Sequence, residues 1–188
     1  MTSDQRNRKT TLRARLRAAR RGAAPAPLSS EVLAAVAAFD VVPGETVCAY
    51  LPIGGEPGSR AMVDALRSAG YRVLLPITVA DAPLDWAVYD GSLRAGPHGL
   101  REPAGAPLGS AAVASAALVL VPALAVDHRG VRLGQGGGHY DRSLPLATCP
   151  LVAVVRDDEF VPSLPAEAHD VRVNAVLTPR AGVVHLPL

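Results

Sequence analysis

The stretch Thr46–Pro76 reads TVCAYLPIGGEPGSRAMVDALRSAGYRVLLP, and its reading decides the fold. Thr46 to Leu51 is a short apolar run that predicts a strand. A loop follows, Pro52-Ile53-Gly54-Gly55-Glu56-Pro57-Gly58. Ser59 is a natural N-cap because its hydroxyl can accept a free backbone N–H of the first turn. Met62, Val63 and Leu66 then recur at helical spacing, and Gly70 stops the helix. Tyr71 to Leu75 predicts a second strand, ended by Pro76. Strand, loop, helix and strand in this order form a βαβ unit, the mark of a parallel sheet in an α/β protein.

Working outward, residues 8–21 predict a helix with Leu12, Leu16 and Ala19 on one face and Gly22 as its stop. Residues 29–39 predict another, capped by Ser29 or Ser30, with Val32, Leu33 and Val36 as its apolar stripe. Further strands are expected at Asp85 to Tyr89, Ala117 to Val121, Leu151 to Val155 and Val173 to Leu177. Residues 91–109 are rich in Gly and Pro and read as a long ordered loop. A short helix is expected around Tyr140 to Leu144. No repeat or second domain is visible, so residues 1–188 read as one domain, with 1–22 as its basic N-terminal helix.

The chain has 188 residues, and 49% are apolar, enough for a proper core. No apolar run is long enough to span a bilayer. The basic N-terminus is followed by no apolar stretch, so a secretory signal is not expected. Cys48 and Cys149 form no CxxC pair and read as reduced, partly buried thiols of a cytoplasmic protein. The net charge of +2 is unevenly spread. Residues 1–21 hold eight basic residues against Asp4 alone, a balance of +7, which leaves −5 for the rest. Such an arm suits a polyanion: ATP, a polyglutamate tail or nucleic acid. It also suits a solvated helix face.

The segment Arg132-Leu133-Gly134-Gln135-Gly136-Gly137-Gly138-His139-Tyr140-Asp141-Arg142 carries the strongest chemical signal. Its glycines let the backbone turn at φ > 0 and approach a ligand closely. Successive N–H groups in such a loop cradle phosphate oxygens. An alanine at Gly137 would be disruptive if that residue holds φ > 0. Arg132 and Arg142 bracket the loop with donors suited to phosphate, and Asp141 is a hard oxygen ligand for Mg²⁺. The pattern is neither a Walker A loop nor GxGxxG. Lys9, the only lysine, stands one helical turn from Arg13. Glu56 reads either as an exposed turn acid or as a partner for the N–H edge of a heterocycle.

These segments together resemble the 5-formyltetrahydrofolate cyclo-ligase family. The resemblance runs from Lys9-Thr10-Thr11-Leu12-Arg13 through Tyr50 to Pro57, Gly96 to Pro103, Val121-Pro122-Ala123 and Asp127 to Arg142. It ends with His169-Asp170 before Val173 to Thr178. It implies a three-layer, Rossmann-like α/β sheet with helices on both faces, similar to ribose-phosphate isomerase and CoA-transferase folds. It implies an ATP- and Mg²⁺-dependent closure of 5-formyltetrahydrofolate, plain or polyglutamylated, by a monomer that needs neither nucleic acid nor membrane. Lys9, Arg13, Arg132, Gly134, Gln135, Gly136, Gly137, Gly138, His139 and Tyr140 would meet ATP. Leu51, Glu56 and the loop from Gln135 to His139 would meet folate. Asp141 and Asp170 would hold the metal, and Lys9, Arg132 and Asp141 would carry the catalytic charges. Gln135, His139 and Asn174 depart from the usual family residues.

Other readings share parts of this pattern. The same fold could activate a different amide or carboxylate, or the chain could be a non-catalytic nucleotide- or RNA-binding module. Aromatics at 4% are few for a single-strand surface. A sugar-phosphate isomerase is possible on architecture alone.

Overall fold

The computed structural model describes residues 3–24, 26–167 and 170–187, the side chains at 3–6 and 98 excepted. In chain order the elements are helix α1 (Ser3–Arg20), α2 (Ser29–Ala38), strand β1 (Thr46–Cys48), α3 (Arg60–Ser68), β2 (Arg72–Ile77), β3 (Asp85–Val88), β4 (Leu93–Ala95) and β5 (Arg101–Pro103). There follow β6 (Leu118–Pro122), β7 (Ala125–Asp127), β8 (Arg132–Leu133), α4 (His139–Ser143), β9 (Leu151–Val154), β10 (Phe160–Val161), β11 (Ala175–Thr178) and β12 (Gly182–His185). Short 3₁₀ turns fill Ser110–Ser115 and Leu144–Leu146.

A seven-stranded sheet in the order β12-β11-β9-β6-β1-β2-β3 forms the centre. Its inner strands run parallel, and the two edges, β3 and β12, are antiparallel. The apolar runs that predicted strands are apolar throughout because both faces are covered. Alternation then sorts them. Val47, Val73, Leu75, Leu118, Leu120, Val152, Val154 and Leu177 pack under α2 and α3. Cys48, Leu74, Val119, Val121, Ala153 and Val176 point the other way, against Trp86, Val113 and Leu144. That second face is covered by α4 and the short 3₁₀ turns, while α2 and α3 cover the first, so helical segments flank the sheet on both faces.

Several boundaries differ from the sequence reading. Helix α1 begins at Ser3 rather than at residue 8. Leu28, not Ser29 or Ser30, holds the N-cap position of α2, in a left-handed conformation at φ 57°. Burial of the Leu28 side chain offsets the missing hydroxyl cap. Ser59 does cap α3, accepting from the Met62 N–H. Strand β1 stops at Cys48, and β2 runs through Pro76, which pairs with Trp86 of β3. Proline is tolerated there because β1 has already ended, so no N–H is needed on that side.

Residues 91–109 are not plain loop. Strands β4 and β5 make a separate hairpin closed by a 3₁₀ turn at Pro97–Gly99. The glycine-rich region likewise hides a small sheet, β10-β7-β8. Helix α1 packs on that sheet through Leu16, which joins Leu124, Val131, Leu133 and Leu164. The edge strand β12 was not expected either; its exposed edge lacks a strong apolar pattern. Both thiols are free, and burial pushes the Cys149 thiol up to about 11 and Cys48 higher still.

Candidate active site

Ligands in open α/β sheets bind beyond the carboxyl ends of the strands, where the strand order reverses. Here the chain steps from β1 to β2 on one side, while β6 takes the other side of β1. The loops leaving β1, β2 and β6 therefore meet at one point. A cavity of about 200 Å³ opens there. Tyr50, Leu51, Ile53 and Glu56 line it from the first loop, Pro76 and Thr78 from the second, and Pro122 from the third. The glycine segment from Gly134 to Asp141, with Arg132 behind it, forms the facing wall. Leu100, Arg101 and Glu102 of the hairpin close a further side.

Glu56 is set by its own loop. Gly54 and Gly55 take φ of 55° and 81°, which bends the chain so that Glu56 N–H donates to the Ile53 carbonyl. A side chain at Gly55 would lie 3.0 Å from the Arg20 carbonyl oxygen. Glu56 is 8% exposed. Its Oε2 accepts from the Ile53 N–H and its Oε1 from the Gln135 side chain. Burial raises its pKa, and those two donors oppose the rise.

The glycine segment is gripped from α1. Arg13 Nε donates to the Gly134 carbonyl at 3.0 Å. Arg17 donates to both the main-chain oxygen and the side-chain oxygen of Gln135. Positive φ occurs at Gly136 (102°) and Gly138 (71°) and not at Gly137, so the expectation for Gly137 is corrected. Arg132 is largely buried, paired with Asp141, and its guanidinium lies 5.9 Å from the Tyr140 ring centre. Burial lowers the Arg132 pKa, while Asp141 pulls the other way. Arg132 Nε, His139 Nδ1 and the Tyr140 hydroxyl are buried polar atoms without a hydrogen-bond partner. Such groups are rare in folded proteins, and three at one cavity make it the candidate ligand surface.

A model of the 5-formyltetrahydrofolate cyclo-ligase family matches residues 5–179. The chain belongs to this family. A 5-formyltetrahydrofolate cyclo-ligase of Mycolicibacterium smegmatis is 50% identical over 153 residues, 77% of this chain and 79% of the relative. That of Escherichia coli is 31% identical over 147 residues, 74% of this chain and 80% of its own length. Two solved structures share the fold. The 5,10-methenyltetrahydrofolate synthetase of Aquifex aeolicus superimposes with a TM-score of 0.79 at 24% identity, covering 96% of this chain and 93% of that one. That of Mycoplasma pneumoniae gives 0.65 at 18% identity, covering 89% and 96%.

Of the residues that the cyclo-ligase resemblance singles out, Leu51, Glu56, Arg132, Gly134 to Tyr140 and Asp141 meet at the cavity. Lys9, Arg13 and Asp170 lie outside its lining. Lys9 is 7% exposed and donates to Glu167 and Asp170, both at 3.2 Å. His169 lies outside the described residues. Arg142, which flanks the loop in sequence, spends its donors on the Ala82 and Gly137 carbonyls. Asp141 and Asp170 share no contact, though both act electrostatically on Arg132. Among the described residues no group of three or more His, Cys, Asp or Glu is gathered for a metal. No helix among them is long and apolar enough to cross a membrane.

The sequence reading missed Thr78, Leu84 and the bridging role of Arg17, because apolar or isolated residues carry no local signal. Arg101, Glu102 and Pro122 fell in segments that match the family but had no assigned role. The basic arm is also resolved: Lys9, Arg13, Arg17 and Arg20 all turn inward to partners in the chain.

Proposed function

We propose that this chain uses ATP and Mg²⁺ to close 5-formyltetrahydrofolate to its 5,10-methenyl form. The observation that carries this reading is the shared cavity: the glycine segment suited to phosphate and the Glu56 loop suited to a heterocycle face one another across it.

An N5-formyl group is an amide, and its carbon is a poor electrophile. Its oxygen attacks the γ-phosphorus of ATP, a P–O bond forms, and ADP leaves. N10 then attacks the activated carbon. Phosphate departs with the carbonyl oxygen, the N10 proton is lost, and the methenyl bridge remains. Such chemistry asks a protein for positioning and charge rather than for a nucleophile. Arg132, Lys9 and Arg13 supply cations, and the N–H groups around Gly136 and Gly138 supply neutral donors. Glu56 orients the pterin through its N–H edge. The unpartnered Tyr140 hydroxyl and His139 Nδ1 offer further contacts at the junction of the two substrates.

Magnesium is commonly held by one or two carboxylates together with substrate phosphates. Asp141 and Asp170 meet that modest demand, each being a hard oxygen donor now engaged by a cation, Arg132 or Lys9. When bound, the ion neutralises charge on the transferring phosphoryl group. Residues 1–188 act as one unit on this reading, since α1 carries part of the site.

The test is formation of the methenyl chromophore with ATP, Mg²⁺ and 5-formyltetrahydrofolate, each omitted in turn. Full absorbance requires all three. Product without ATP, or none with the complete mixture, overturns the proposal.

A further inference from the structure

The loop from Pro52 to Gly58 has a second side. A larger cavity of about 570 Å³ lies there and shares Leu51, Ile53, Glu56 and Arg101 with the first, so the two adjoin. Its floor is apolar at Ile53 and Leu93. Ile53 is 43% exposed, one of few large apolar side chains so open to solvent.

Three guanidiniums line this trough: Arg60, Arg101 and Arg156. Arg60 shares its charge with Asp64 at 3.5 Å. Arg101 and Arg156 enter no ion pair among the described residues. Arg101 makes one long hydrogen bond, 3.5 Å to the Leu93 carbonyl. Arg156 donates to the carbonyls of Ala24 and Gly55, at 2.9 and 3.2 Å, and its Nε is buried without a partner. Neutral carbonyls leave both positive charges uncompensated. The one carboxylate in the trough, Glu56, is already engaged by the Ile53 N–H and Gln135.

A cationic trough with an apolar floor suits a ligand that joins a flat ring to an anionic end. On the cyclo-ligase reading the substrate has that form: its pterin continues through an aminobenzoyl ring to a glutamate with two carboxylates. We propose that the trough holds the glutamate end of the folate substrate, with Arg101 and Arg156 pairing its carboxylates and Ile53 and Leu93 packing on the aminobenzoyl ring. This rests on the function proposed above and extends it from the reacting end of the substrate to its far end.

The experiment compares 5-formyltetrahydrofolate with the same compound lacking its glutamate, by kcat/KM at saturating ATP. The wild type favours the glutamate-bearing compound by about 100-fold, roughly tenfold for each charge-assisted pair. Arg156→Gln and Arg101→Gln each cut that preference by about tenfold, mostly through KM for folate. Arg156 also ties Ala24 to Gly55, so the exposed Arg101 keeps the test valid if the first variant folds poorly. Turnover of both compounds with an unmoved preference overturns the trough alone. A rise confined to the KM for ATP overturns it too, since the cations then serve the nucleotide. Wild-type turnover of neither compound overturns the cyclo-ligase reading and the trough with it.

Discussion

Gln135 Nε2 stands 3.2 Å from Glu56 Oε1, and this hydrogen bond ties the glycine segment to the loop after β1. The same amide accepts from Arg17 Nε at 3.0 Å. A guanidinium only donates and a carboxylate only accepts, so a side-chain amide is one of the few groups that can stand between them. We therefore expect Gln135→Leu to weaken folate binding by about tenfold, the scale of a hydrogen bond to a charged group. The pH dependence has a definite sign. Burial already raises the Glu56 pKa, and the Gln135 N–H holds it down. Removing that donor lifts the pKa further, so the ionised form is lost at a higher pH as the solution is acidified. Calorimetric titration of folate across the acid range should show the falling limb displaced upward; an unmoved limb removes Gln135 from this role.

Lys9→Ala should lower turnover by about 10²–10³, the scale of one well-placed charge. The change also removes the cation that Asp170 and Glu167 share, both of them part-buried. A lower melting temperature should accompany the kinetic loss, with stability reduced by about 1–3 kcal/mol. Thermal melts and initial rates on the same preparation separate the two effects, and wild-type turnover would remove Lys9 from the chemistry.

Glycine substitutions along the loop should be unequal. Gly138 holds φ 71°, and a Cβ there would lie 2.7 Å from Arg142. Gly138→Ala should cost about 1–2 kcal/mol of backbone strain and weaken ATP binding in proportion. Gly137 is not in the left-handed region, and its added methyl would meet only the His139 ring at 3.2 Å. Gly137→Ala should be the milder change. Equal ATP affinities for the two variants, measured by equilibrium binding, would count against the cradle.

Asp127 gives a prediction about acid stability. It is fully buried, and burial raises its pKa. The Arg129 side chain and the N–H groups of Leu164, Arg129 and Val131 more than reverse that, leaving a net depression. A depressed folded pKa contributes stability above the ordinary carboxylate range, which is lost as pH falls through the folded value. Asp127→Asn should lower the urea midpoint at neutral pH and flatten its fall in acid. A variant with the wild-type acid slope would assign that slope to other carboxylates.

The parallel core was legible because each inner strand is apolar on both faces. Val119 and Leu120 serve opposite layers, yet both must be apolar. The Ser59 cap and the two facing loops were legible for similar local reasons. The β4–β5 hairpin was not, because Gly96, Pro97 and Gly99 mask strands of only three residues. The small β10-β7-β8 sheet escaped because its pairing joins distant segments, Val126 to Phe160 for instance. The site was legible as residue types and not as connections. Nothing in the sequence says that Arg17 reaches Gln135, or that Lys9 spends its charge on Glu167.

The anchoring of α1 has a consequence for how the molecule is made. Lys9 finds its carboxylates 158 and 161 positions later, and Arg20 meets Glu159 across 139. The first helix leaves the ribosome long before its partners exist. At a synthesis rate of roughly 5–20 residues per second it waits on the order of ten seconds with buried-type charges still in water. The seat of α1 is thus completed only by a late docking event between two portions of the nascent polypeptide about 140 to 160 positions apart.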